Sequence, residues 1–453
     1  MQGGKIVKKN LVSIVSVLAI LVLILAACGS SDTPKDAQPE ETQNESATEE
    51  NVNEEKALSG EIKIMVPAGG YYLEHVRNFV ASKFMEKHPD VNVIVEQEPD
   101  GGQLTARIAA GDTPDVLVGV YGYQPARFAR DNLIVDLKDM TGSEELFDRI
   151  APQYIHEDFG GRYYVPWNAT TQMMIYNKEL FEEAGLDPNS PPETFEQYLE
   201  YAEKINNLPD TYGNVFWNEA LAWGGWYWTM KSQIYYNFNN AEYQLFNELG
   251  TDIVFDQEDA NLVDFYEFME KAQGYAPPTM DGNEFFGRNV GMWLQFGYGW
   301  KANLQEAKDR PMVIGEDVGV APIPVVNAGD THWSTLDGRS LMVFRSNPER
   351  EQLAFELIKF MMEDDINLEG LKALKQLPTL TSLEDDEYFQ ADDIQPFVEQ
   401  LQHTIPNEAV AEVDDISNLL LQNYIKSIIQ NEMTVEEAVE NAAIEARKIL
   451  DGE

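Results

Sequence analysis

Residues 61–66, Glu-Ile-Lys-Ile-Met-Val, open the stretch of sequence that decides the fold. Their short apolar run predicts a β-strand, and Gly69-Gly70 predicts a turn directly after it. A helix is predicted next, because apolar side chains recur at every third or fourth position. These apolar positions are Leu73, Val76, Val80 and Phe84. His88-Pro89-Asp90 predicts the end of this helix.

The pattern continues with a second strand over Val91–Val95, a helix over Leu104–Ala110 and a third strand over Asp115–Val120. Strands that alternate with helices at this spacing predict a parallel, doubly wound α/β sheet. Ligands of such sheets bind beyond the carboxyl ends of the strands. Those ends carry Gly69-Gly70-Tyr71 and Tyr121-Gly122-Tyr123.

A similar pattern restarts later in the chain and predicts a second α/β lobe. Further strands are predicted over residues 163–166, 173–176, 318–321 and 341–344. Capping boxes predict the starts of three helices, at Thr194–Gln197, Ser346–Glu349 and Thr434–Glu437. Because one sheet seldom needs a chain of this length, we expect two lobes.

The N-terminal segment predicts export and lipid attachment. Basic residues precede an apolar stretch, Leu11 to Ala27, which ends in Leu25-Ala26-Ala27-Cys28. We interpret residues 1–27 as a lipoprotein signal peptide and Cys28 as the lipidated residue. Residues 28–59 are polar and acidic, which predicts a disordered tether. The alternatives are an uncleaved membrane-spanning helix and an ordinary buried cysteine.

The composition excludes several classes of function. The formal charge of −46 repels nucleic acid, so no nucleic-acid partner is expected. Cys28 is the only cysteine, and the five histidines are scattered without metal-ligand spacing. We therefore expect no disulfide within the chain, no metal site and no cofactor.

Several segments of the chain, in the same order as in the family, resemble the extracellular solute-binding proteins of ABC importers. The resemblance is to the sugar-binding group that includes maltose-binding protein. Ile175–Leu186 is the most specific of them and is similar to the family's YNK.LF..AGL stretch. The other segments are Gly111–Val116, Gly161–Trp167, Pro192–Phe195, Val318–Pro324, Ala354–Phe360 and Leu377-Pro378. One departure is Gly297-Tyr298-Gly299-Trp300, which stands where the family commonly has Gly-Pro-Trp.

The resemblance implies an α/β, two-lobed periplasmic-binding-protein-like fold of type II that closes on its ligand. It implies an N-terminal lobe of residues 60–166 with 336–376, and a C-terminal lobe of residues 167–335 with 377–453. The hinge crossings would fall near Val165–Asn168, Asp337–Leu341 and Leu377-Pro378. A monomer working with a cognate ABC permease is implied, and not an enzyme.

Aromatic and polar residues near the predicted crossings and strand ends are the candidate ligand contacts. An indole or phenol ring matches the apolar face of a sugar, and hydroxyls need amide, carboxylate or guanidinium partners. The candidates are Tyr71, Tyr121, Trp167, Asn168, Trp223, Trp226, Trp228, Trp300, Asp337 and Arg339. For the aromatic residues the alternative is core packing, and for Arg339 it is an interlobe ion pair.

We therefore expect a membrane-anchored protein on the extracellular face, in a Gram-positive cell, that captures a carbohydrate for an ABC transporter. An oligosaccharide is the expected ligand. Two alternatives are a sugar-sensing lipoprotein, which would present its ligand to a membrane receptor, and a secreted glycoside hydrolase. A hydrolase needs two suitably spaced carboxylates, but the chain has 78 acidic residues, so a pair alone would prove nothing.

Overall fold

A computed structural model describes residues 57–67, 70–99, 103–157, 160–215, 234–278 and 283–452. Ten strands are found in these ranges: β1 Gly60–Val66, β2 Val91–Gln97, β3 Val116–Val120, β4 Val165–Thr170, β5 Gln172–Asn177, β6 Tyr212–Val215, β7 Val290–Gly297, β8 Val318–Ala321, β9 Ser334–Val343 and β10 Thr404–Pro406. They form a six-stranded and a four-stranded sheet.

The α-helices of the described ranges cover both sheets. They are α1 Gly70–His75, α2 Ser82–Lys87, α3 Gln103–Ala109, α4 Tyr123–Arg130, α5 Ser143–Phe147, α6 Lys178–Glu183, α7 Phe195–Asn206, α8 Leu262–Gln273, α9 Lys301–Gln305, α10 Pro348–Met361, α11 Asp364–Leu374, α12 Gln395–Gln400, α13 Val413–Tyr424 and α14 Val435–Leu450. Two π-helical segments, Val76–Ala81 and Ile425–Ile429, follow α1 and α13. None of the helices described is long and apolar enough to cross a membrane.

The six-stranded sheet contains the three strands predicted to be parallel. β1 pairs in parallel with β2 and with β3, as expected from the intervening helices. β9 then pairs antiparallel with β3, and β4 pairs antiparallel with β9. The sheet is therefore mixed rather than wholly parallel. β9 begins near the carboxyl end of β3, so it can only run back along that strand.

The four-stranded sheet has the order β6-β7-β5-β8. The chain passes from the six-stranded to the four-stranded sheet at Thr171, between β4 and β5, and it returns between β8 and β9. We call this region, where β4 leads into β5 and the chain returns from β8 to β9, the junction. Leu377 lies beside it, because Leu377 and Ala169 exchange backbone hydrogen bonds of 2.8 and 2.9 Å. The two-lobed α/β class is confirmed, whereas the exact lobe boundaries stay a prediction.

Hydrophobic burial is divided between two clusters. The first surrounds the six-stranded sheet and includes Ile64, Val116 and Leu341. The second lies on one face of the four-stranded sheet and includes Tyr198 and Phe265. Strand residues alternate between faces, which is why Met173 and Ile175 join the first cluster while Met174 and Tyr176 join the second.

Two of the three predicted capping boxes are confirmed. Thr194 and Thr434 each accept a hydrogen bond from the backbone N–H three residues later, and the reciprocal bond is present in both. The third prediction, at Ser346, is wrong. Asn347 caps α10 instead, with its side chain accepting from the Arg350 N–H. Pro348 at the first helical position has a φ suited to a helix start, which places the cap one residue later.

Candidate functional site

The carboxyl ends of β1, β2 and β3 meet at one edge of the six-stranded sheet. Tyr72, Glu98 and Gln124 follow these three strands in turn, and all three are half-buried. β9 passes along the same edge, where Arg339 pairs with Val120 at the end of β3. The edge therefore collects a phenol, a carboxyl, an amide and a guanidinium at the position where α/β sheets bind ligands.

The Arg339 side chain lies over the Tyr72 ring, with 5.3 Å between the guanidinium carbon and the ring centroid. The Tyr72 ring in turn meets the Trp167 ring edge-on, with centroids 5.9 Å apart. The backbone N–H of Arg339 donates to Asn168 Oδ1 at 3.2 Å. Arg339 is thus positioned by aromatic and backbone contacts from β4 and α1, and it remains half-buried.

Burial and neighbouring charge act in opposite directions on the acids of this edge. Burial raises the pKa of the Glu98 carboxyl above its ordinary value, although Arg339 and hydrogen bonding with Gln124 partly offset the rise. Burial also raises the pKa of the Tyr72 phenol, against the lowering effect of Arg339. Donors and acceptors are therefore mixed at close range, which suits a ligand rich in hydroxyl groups.

The side chain of Asp337 is held by a residue that follows β10. Its Oδ1 accepts a hydrogen bond of 2.9 Å from Asn407 Nδ2, directly after β10. Asp337 and Asn407 are both buried, at 4% and 8% exposure. Asn407 Oδ1 also accepts from the Thr335 hydroxyl at 3.4 Å. Asp337 therefore ties β9 to the segment after β10 beside the candidate site.

The structure brings four of the predicted contact residues together, on the paired strands β4 and β9. They are Trp167, Asn168, Asp337 and Arg339. Trp167 and Asn168 are only 2% and 1% exposed. The buried indole packs edge-on against the Tyr72 ring. Of the four, Arg339 has the most accessible side chain.

The remaining predicted residues lie elsewhere or outside the described ranges. Tyr71 is 71% exposed at the start of α1. Trp300 packs edge-on against Trp293, with centroids 5.4 Å apart. Trp223, Trp226 and Trp228 lie outside the described residues, as does Cys28. Their roles stay predictions.

Tyr121 lies on the opposite face of β9 from Arg339. Its hydroxyl donates to the Asn168 carbonyl, and its ring lies 3.0 Å from the position that a Cβ on Gly338 would take. Side chains on a strand alternate between faces, so Gly338 faces away from Asp337 and Arg339. Tyr121 therefore supports the junction from behind.

Sequence reasoning missed Tyr72, Glu98, Gln124 and Asn407. The signal for Glu98 and Gln124 was present, because each closely follows a predicted strand, as Tyr71 does. Tyr71 and Tyr72 are neighbours on α1 and point in different directions. The sequence alone does not show which of them faces the candidate site. Asn407 had no sequence signal, because β10 has only three residues.

A cavity of about 920 Å³ lies beside Tyr121. Gly122 and Tyr164 line it, and the Tyr164 ring is 5.6 Å from that of Tyr121. Asn407, which donates to Asp337, also lines the cavity, so the cavity adjoins the candidate site. We assign the candidate ligand site to the Arg339 face, because the ends of β1, β2 and β3 direct their polar groups there.

Two lobes, chain crossings between two sheets and polar groups at the strand ends define a two-lobed ligand-binding protein. The family profile described as bacterial extracellular solute-binding protein matches residues 73–367. The chain belongs to this family.

One similar relative is the maltotriose-binding protein of Pyrococcus abyssi (strain GE5 / Orsay), 26% identical over 341 residues. The match covers 72% of this chain and 68% of the relative. This relative is a binding protein.

Solved structures show the same fold. The cyclic alpha-maltosyl-1,6-maltose binding protein from Arthrobacter globiformis is 19% identical, with a TM-score of 0.72, and the match covers 87% of this chain and 100% of that one. Maltose-bound T. maritima MalE3 is 23% identical, with a TM-score of 0.69, and covers 86% and 99%. Both are two-lobed binding proteins.

Proposed function

We propose that this protein captures an oligosaccharide at the Arg339 face of the junction and delivers it to an ABC permease by lobe closure. The observation that carries the proposal is the set formed by Tyr72, Glu98, Gln124 and Arg339. These half-buried groups stand beside the strands that pass between the two sheets. All four belong to the lobe built on the six-stranded sheet, so closure of the second lobe would cover a ligand held there.

The chemistry of these groups supports a hydroxylated ligand. A guanidinium donates in a fixed fork, a carboxyl and an amide side chain add acceptors, and tyrosine supplies an aromatic face. Micromolar affinity requires about 8 kcal/mol. Several hydrogen bonds, each contributing about 0.5–1.5 kcal/mol, together with ring stacking account for that. The maltotriose-binding relative and the maltose-bound neighbour support a sugar in particular.

Isothermal titration calorimetry against a panel of neutral mono- and oligosaccharides tests the proposal. We expect at least one oligosaccharide to bind with a dissociation constant of about 10 μM or lower, and more tightly than its own monosaccharide unit. A peptide and a polyamine serve as controls of other chemistry. Binding heat with the peptide or the polyamine, and none with any sugar, would contradict the proposal that the ligand is a sugar.

We further propose that the protein is anchored outside the cell by lipid on Cys28. Support comes from the basic N-terminus, the apolar stretch and the small residues before that cysteine. Two acyl chains on one residue supply the two signals that stable attachment needs. The tether would then keep the binding body at high local concentration beside its permease.

Replacing Cys28 by serine is expected to move most of the protein from the membrane fraction to the culture medium. The thiol is the only atom in this segment that can carry the lipid, so the loss should be nearly complete. Fractionation followed by immunoblotting measures it, with Ser31→Ala as the matched control. Equal membrane association of both variants would point instead to an uncleaved membrane-spanning segment.

A further inference from the structure

His75 is the last residue of α1 and lies on the same side of that helix as Tyr72, because residues three apart on a helix are neighbours. Its Nε2 atom is buried and has no hydrogen-bond partner among the described residues. The imidazole stacks on the Phe79 ring, with centroids 5.2 Å apart and planes at 27°. A titratable group is therefore packed inside the fold beside a residue of the candidate site.

The helix α11 packs against α1 at this histidine. Gly370 approaches it so closely that an added Cβ would stand 3.1 Å from His75 Nε2. One turn earlier on α11, the buried Asn367 donates from Nδ2 to the Trp167 carbonyl at 3.2 Å. The Trp167 ring meets the Tyr72 ring. The contacts between α1, α11 and β4 thus form a closed set, so a shift of α1 at His75 would also move Tyr72.

Little in this packing can stabilise a positive charge on His75. Burial lowers the pKa of the imidazole below its ordinary value, and the Glu369 carboxylate on α11 offsets only part of that effect. Glu369 is exposed, as are Glu74 and Arg77, the charged neighbours of His75 along the chain. As the pH falls below about 6.5, the unfolded chain binds a proton more readily than the folded chain does, so the folded packing loses stability.

We propose that His75 is a pH-sensitive contact that positions Tyr72, so that acidification weakens sugar binding. The inference rests on the proposed function, because it concerns the regulation of the same site. An imidazolium carries a proton on both ring nitrogens. Nε2 then needs an acceptor, and none of the described residues provides one at this position. Separation of α1 from α11 would let water supply it, and Tyr72 would move away from Arg339, whose guanidinium lies over its ring.

Calorimetry with the tightest sugar of the panel, at about pH 7.5 and about pH 5.0, tests the proposal. We expect the affinity of the unmodified protein to be about fivefold lower at the acidic pH. His75→Gln cannot titrate at this position and should lose most of that pH dependence. Glu98 also titrates at this edge of the sheet, but it is present in both proteins, so its effect cancels in the comparison. Equal pH dependence in the two proteins would overturn the proposal.

His156 is the main alternative source of a pH effect. Its Nε2 is also buried without a partner in the described part of the chain, burial lowers its pKa, and it lines the cavity beside the site. His156→Gln should keep the pH dependence of sugar binding. Loss of that dependence in His156→Gln, with retention in His75→Gln, would overturn the proposal. His88→Gln, which changes the histidine directly after α2, is the matched control and should behave like the unmodified protein.

Urea unfolding tests the His75 contact without any ligand. Acidification should lower the stability of the unmodified protein relative to that of His75→Gln, because only the unmodified protein carries the buried imidazole. His75→Met takes the place of His75→Gln if the latter fails to fold. An absence of sugar binding at both pH values would contradict the proposed function, whereas an unchanged stability difference would contradict the role of His75 by itself.

Discussion

Replacing Gly338 by alanine is expected to destabilise the protein and weaken ligand binding at least tenfold. An added Cβ would stand 2.0 Å from the Asn168 carbonyl oxygen and 3.0 Å from Tyr121 Cζ. The nearest atom belongs to the backbone of β4, so the clash is relieved only if β4 and β9 move apart. Overpacking of this kind costs about 1–3 kcal/mol, and occasionally more. Denaturant unfolding measures the stability, and calorimetry measures the affinity.

Gly297→Ala is the matched control for this change. Gly297 also lies in a strand, β7, but a Cβ there would meet nothing closer than the Thr170 hydroxyl at 3.4 Å. We expect its stability and affinity to stay close to those of the unmodified protein. If the two alanine variants behaved alike, the close approach at Gly338 would not be what constrains the junction.

Replacing Arg339 by methionine is expected to lower sugar affinity by about 10- to 100-fold, because charge-assisted hydrogen bonds contribute about 1.5–3 kcal/mol each. Methionine keeps much of the length and volume of the side chain, so the contact with Tyr72 is partly retained. Removing the guanidinium also affects Glu98. Arg339 lowers the pKa of that carboxyl against the effect of burial. Without the guanidinium the pKa of Glu98 therefore rises further, and the carboxyl is protonated at a higher pH.

The control for Arg339→Met is Arg345→Met. Arg345 is exposed two residues beyond the end of β9, so its removal should not change affinity. Calorimetry with the tightest sugar of the panel measures both variants, and their circular-dichroism melting curves establish that both are folded. Unchanged affinity in Arg339→Met would move the ligand site away from this edge of the sheet.

Much of the first sheet could be predicted from the sequence. The periods of β1, β2 and β3 and of the intervening helices are local properties, and the structure contains all of them within a few residues. The direction of β9 was not predictable in this way. Residues 116–120 pair with residues 339–343, which are far away in sequence. The local pattern of apolar residues in a strand does not show which distant strand it pairs with.

The candidate site was predicted in part. The resemblance placed Asn168, Asp337 and Arg339 at two hinge crossings, and these crossings are paired strands in the structure. Their contact with a ligand stays a prediction. Trp167 was also a predicted ligand contact; its ring is buried behind Tyr72, and its role stays a prediction. Glu98 was missed although it closely follows a predicted strand, because that position alone does not single out one residue. An acidic chain offers many such carboxylates, and only the packed fold shows which one meets a guanidinium.

By itself, the sequence determined the α/β class, the family resemblance and the positions of most strands and helices. These follow from local periodicity and turn chemistry, which act over a few residues. Only the tertiary structure decided which side of β9 each group occupies. Gly338 faces the Tyr121 ring, whereas the side chain of Arg339, the next residue, lies over Tyr72. The physical reason is strand alternation, because a side chain's face depends on the pairing register, and that register is set by long-range contacts.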